Sequence, residues 1–147
     1  MYGTLLLLHL LAATIWTGGH IILATVILPK ALRQRSVAHL QNFETAYERV
    51  GMPALIVQII TGLMLAYRLV PDIGGWFNPA NPLAHIIMAK LTLLGLTLAL
   101  AIDARFRVIP NLTPDKLVDM AFHIVPVTLI SILFVVVGIS IRTGWLF

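Results

Sequence analysis

His9 and His20 lie eleven residues apart inside one apolar run from Thr4 to Leu28. Eleven residues make almost three turns of α-helix, so both rings share a face within about 20° and stand roughly 16 Å apart along it. In lipid an imidazole needs partners. Haem iron takes the lone pair of one ring nitrogen while the other nitrogen donates to a backbone carbonyl or a Ser/Thr oxygen. Polar rings at two depths of one membrane helix therefore point to haem chemistry, with interhelical hydrogen bonding as the plainer alternative for either ring alone. Lys90 adds an amine within another apolar run. Such an amine snorkels outward, pairs with an anion, or loses its proton and binds metal.

The elements that must position these groups follow from composition. Across 147 residues, 59% are apolar and 11% charged, with a mean hydropathy of +0.96. One soluble core cannot hide that much apolar surface, so the chain reads as an integral membrane protein. No Cys occurs, which excludes disulfides, iron–sulfur clusters and thiolate metal sites. The net charge of +4 reads as loop charge that sets topology and not as a nucleic-acid surface. The first apolar segment is too long for a signal-peptide core and is expected to be retained.

Four spanning helices are predicted, at about Thr4 to Leu28, Pro53 to Val70, Pro82 to Ile109 and Met120 to Leu146. They make residues 1–147 a single domain of the all-α class, a four-transmembrane-helix bundle. Before the second span, residues 37–50 carry Leu40, Phe43, Tyr47 and Val50 among charged side chains, which describes an amphipathic cytosolic extension, with Pro53 kinking the junction. Trp76 is expected to anchor the Pro71 to Pro82 loop at the interface, and Thr113 to cap the start of the fourth helix. Lys30, Arg33, Arg35 and Arg49 flank the first connection and Arg105, Arg107 and Lys116 the third. Arg68 and Arg142 alone lie near the opposite ends. The positive-inside rule then places both termini in the periplasm of a bacterial inner membrane.

Depth pairs the ligands. His9 and Lys90 fall at comparable depths near the outside, with His85 nearer the surface, while His20 and His123 belong to the cytoplasmic half. Two layers result: His9 with Lys90 or His85, and His20 with His123, suited to one or two b-type haems per chain. Each position also has a plainer reading: His85 and His39 solvated, His123 interfacial, Lys90 snorkelling, and Gly18 and Gly19 as close helix packing. Arg68 and Arg142 either meet haem propionates or simply snorkel. Copper is the alternative metal. His85 and Met88 share one helical face with His9 at a nearby depth and Met64 within reach, a mixed imidazole and thioether set suited to Cu(I).

Leu8-His9 with Trp16 and Gly19, Tyr47-Glu48-Arg49 leading to Met52-Pro53-Ala54, Thr61-Gly62-Leu63, Ala89-Lys90-Leu91, and Val125-Pro126 with Thr128-Leu129 resemble the HemJ-type protoporphyrinogen oxidases. The chain also looks like the related copper resistance protein D family of short four-helix membrane proteins. In the HemJ type a first-helix His and a third-helix Lys are the essential pair associated with haem b, and this resemblance implies those roles for His9 and Lys90. His20 and His123 depart from that pattern and suggest a second haem. The expected activity is a di-haem cytochrome b type electron transfer or an oxidoreductase reaction. Copper binding or transport and HemJ-type oxidation of protoporphyrinogen IX are the alternatives. Expected partners are membrane lipid and a redox partner or quinone, with a homodimer open.

Overall fold

The computed structural model describes residues 1–145, the side chain of Arg142 excepted, so the expected propionate contact of Arg142 and the expected helix end at Leu146 lie outside the described residues. Among the described residues there is no strand. Four helices carry the fold: α1, Tyr2–Gln34; α2, Val37–Leu69; α3, Pro82–Asn111; and α4, Leu117–Thr143. Each is long and apolar enough to cross a membrane. The chain is thus an all-α, multi-pass membrane bundle, and exposed side chains such as Leu7, Val26, Ile56, Ile102 and Leu129 form the apolar outer surface that lipid would cover.

Two of the helices widen locally. α1 passes through a π-helical turn at Leu23–Ile27 and α3 through another at Ala104–Val108. Each ends two residues before a proline, Pro29 and Pro110. A proline ring clashes with the carbonyl four residues back, and the wider turn gives that ring room. α2 runs unbroken from the charged residues 37–50 through Pro53 to Leu69, so the amphipathic segment and the second apolar span are one helix.

The α1–α2 turn is short because α1 closes on a Schellman motif. Arg35 takes a left-handed conformation (φ 47°), its N–H donates to the Leu32 carbonyl at 3.4 Å, and the Ser36 N–H donates to that of Ala31 at 3.0 Å. The Asn81 side chain accepts from the Leu83 N–H at 3.0 Å and caps α3. Two smaller expectations are corrected. Thr113 makes no side-chain cap; a 3-10 turn at Pro114–Lys116 precedes α4 instead. Trp76 is buried, its indole N–H donating to the Val70 carbonyl at 2.8 Å, so it pins the loop to the bundle.

Apolar packing concentrates in two clusters. Leu23, Leu28, Ala31, Leu40, Val108, Leu117, Met120 and Ile124 close the end that carries the α1–α2 and α3–α4 turns. Val70, Trp76 and Ile87 pack at the opposite end. Between helices, polar ties supplement this packing. The Tyr47 hydroxyl (α2) donates to the Trp16 carbonyl (α1) at 3.0 Å, the Thr128 hydroxyl (α4) lies 3.1 Å from the His20 carbonyl (α1) besides its 2.7 Å bond to the Ile124 carbonyl, and Arg105 (α3) donates to Glu48 (α2) at 3.3 Å.

Candidate functional site

His9 sits on α1 where that helix packs against α2. Its ring lies against Gly62: a Cβ at that position would stand 3.1 Å from His9 Cε1, so any side chain there would crowd the imidazole. The ring Nδ1 is hydrogen-bonded to Thr61 Oγ1 at 2.9 Å. The ring also lies close to the Gln58 backbone carbonyl, and among the described residues no side chain is hydrogen-bonded to Nε2.

A cavity of about 800 Å³ opens beside this ring. All four helices line it, with Leu6, His9 and Trp16 from α1, Gln58, Gly62 and Arg68 from α2, Lys90 from α3, and Phe134 and Gly138 from α4. Its wall is mostly apolar. The Lys90 amine is half-buried and reaches towards α4, 3.6 Å from where a Cβ on Gly138 would stand. His9 and Lys90, on separate helices, therefore face one space. Gln58 lines the cavity, and its side-chain oxygen, shielded from solvent, has no hydrogen-bond partner among the described residues. In an apolar surrounding such an orphan costs about 1–3 kcal/mol. Arg68 lies further along α2, at the end where that helix stops.

Among the described residues none of the other histidines lines this cavity. His20 is 7% exposed, donates from Nδ1 to the Trp16 carbonyl at 2.8 Å, and packs between the Trp16 ring at 4.3 Å and the edge of Tyr47 at 5.6 Å. His123 Nδ1 lies 3.0 Å from the Asp119 carbonyl and Nε2 lies 2.6 Å from the Asp103 carboxylate. Both nitrogens of His123 therefore face acceptors on its own helix and on α3. His85 is exposed, and its Nε2 donates to the Pro79 carbonyl at 2.9 Å. His39 is exposed and paired with Gln34 at 2.5 Å. Of the alternative copper set His9, His85 and Met88, only His9 lines the cavity, and Met64 is exposed.

Two contributors were not singled out from the sequence as site groups. Thr61 appears there only within a stretch of family likeness, because its tie to His9 spans 52 residues of chain. Gln58 carried a signal that was available. It is the one amide in the apolar run from Pro53 to Tyr67, and it stands three and four residues before Thr61 and Gly62, on the same helical face.

The family model for copper resistance protein D matches residues 41–142, more than half of the chain. The matched stretch contains Gln58, Thr61, Gly62 and Lys90 and leaves out His9 and His20. No curated protein and no solved structure matches the chain.

Proposed function

The chain belongs to the copper resistance protein D family, and within that frame we propose that it is a membrane redox protein holding one b-type haem in the four-helix cavity. The observation that carries this reading is His9: one ring nitrogen is tied to Thr61, and the side chain lines a largely apolar space of about 800 Å³. That volume lies within the range of about 300–1,000 Å³ common for cofactor pockets. The residues present fit the group. His9 Nε2 supplies a lone pair for iron, Gly62 leaves the ring room, and Gln58 adds an amide with an unpaired oxygen to the wall. Arg68 suits the carboxylate side chains of such a macrocycle. Lys90 either donates as an amine to the metal or pairs as a cation with a carboxylate. When bound, haem b supplies one-electron transfer. The chain's own contribution is to orient the ring, to exclude water with the apolar wall, and to set the charge around the site through Lys90 and Arg68. The electron donor and acceptor, a small redox partner or a membrane quinone, belong to the same proposal. So does placement in a bacterial inner membrane with both termini periplasmic.

The test is an oxidised and dithionite-reduced absorption spectrum of the detergent-purified protein, with iron and copper measured on the same sample. Reduced b-type bands are expected, at about one iron per chain, and His9→Ala is expected to abolish them. A colourless protein, or full haem content in H9A, overturns the reading.

Family membership favours copper handling as the second reading, because copper is what the family's description names. His9 is then the one imidazole in the cavity, and further ligands come from rearranged His85 and Met88. Copper retained against a competing chelator by a colourless protein puts this reading first.

A further inference from the structure

We infer that Thr61 is the positioning residue of the site, fixing which nitrogen of His9 carries the proton and so presenting the Nε2 lone pair to the cavity. A hydroxyl has one proton to donate. Thr61 Oγ1 lies 2.6 Å from the Val57 carbonyl and 3.3 Å from that of Gln58, and carbonyl oxygens only accept. The Thr61 proton is therefore committed to its own helix, and the 2.9 Å contact with His9 requires the proton on Nδ1. In a neutral imidazole that leaves the lone pair on Nε2. Thr61 is 5% exposed, so water does not compete for the bond.

Geometry reinforces the assignment. Thr61 and Gly62 are consecutive on α2 and act on the same ring. The hydroxyl holds Nδ1, while the missing side chain at Gly62 lets Cε1 approach to a distance a Cβ would crowd. Ring position and proton position are thus set by one helix, whichever metal or macrocycle the cavity takes. The inference rests on the haem reading only for the affinity measurement below.

The experiment is nitrogen NMR of protein carrying ¹⁵N-labelled histidine in detergent micelles, with His9 assigned by comparison with His9→Gln, on the wild type, Thr61→Val and Thr61→Ser. The expected result is a protonated Nδ1 at His9 in the wild type and in T61S, and a shift towards the Nε2-protonated tautomer in T61V. Haem titration of the same samples is expected to show an affinity lower by about 10–100-fold in T61V, with T61S close to wild type. A purely packing role predicts the reverse order, since valine keeps the volume of threonine and loses only the hydroxyl, while serine keeps the hydroxyl and loses a methyl. A wild-type His9 protonated on Nε2 overturns the inference even if T61V does not fold. An unchanged tautomer in T61V overturns it as well. Haem-free wild-type protein with the expected tautomers retires the haem reading and leaves the role of Thr61 standing.

Discussion

Gln58 illustrates how a single side chain distinguishes a binding wall from a packed core. Its buried oxygen has no partner among the described residues, although polar side chains such as His9, Lys90 and Arg68 line the same cavity. Folding tolerates such an orphan only at a cost of about 1–3 kcal/mol. Gln58→Met keeps the length of the side chain and removes the amide. The ligand-free variant is expected to melt higher, by about 2–4 °C for each kcal/mol recovered. The same variant is expected to hold the cavity's occupant about tenfold less tightly. Thermal unfolding in detergent and haem titration read the two effects, and a variant that melts lower while binding as well as wild type makes Gln58 a structural group. His9 and Lys90 were legible as chemistry from their types alone, because imidazole and amine are costly in lipid. Thr61 was not, because a threonine in a membrane helix usually bonds back to its own carbonyls, as Thr25, Thr92 and Thr97 do here.

Adjacent glycines on α1 show what the helices ask of each other. Tyr47 of α2 lies in a slot between Gly19 of α1 and Gly51 of its own helix, and a Cβ at Gly19 would collide with the Tyr47 ring, which Gly51 blocks from the other side. At Gly18 a Cβ would meet open space. Gly19→Ala is therefore expected to destabilise the bundle by about 1–3 kcal/mol through overpacking. Gly18→Ala is expected to be neutral or to stabilise by up to about 1 kcal/mol, as alanine for glycine within a helix does. Unfolding midpoints of the two variants in one detergent decide the matter, and equal effects would mean that Tyr47 does not wedge the helices. For the glycines, close helix packing holds at Gly19. The sequence pattern located the helices because an apolar run long enough to span a bilayer is a local property. Their ends were less legible. The proline-linked π turns in α1 and α3 carry those helices beyond the apolar runs, to Gln34 and Asn111.

At the scale of the whole molecule, charge asymmetry makes a prediction that the absence of cysteine makes clean to test. Basic residues flank the α1–α2 and α3–α4 turns, so these turns are expected in the cytoplasm and the α2–α3 loop outside. In intact cells a membrane-impermeant maleimide is expected to label Asn78→Cys and to spare Ser36→Cys; the opposite pattern inverts the topology. Composition and hydropathy alone determined that this chain is a four-helix membrane protein, because the cost of exposing apolar surface or burying backbone polar groups is paid segment by segment. Residue type and depth also marked His9 and Lys90 as candidates for one layer. Tertiary structure alone decided which polar groups meet. His123 spends both nitrogens on Asp103 and Asp119, His20 packs between Trp16 and Tyr47, and Thr61 reaches His9 across two helices. Those outcomes depend on how each helix is rotated about its axis, and rotation is set by side-chain packing among all four helices at once, which no single segment encodes.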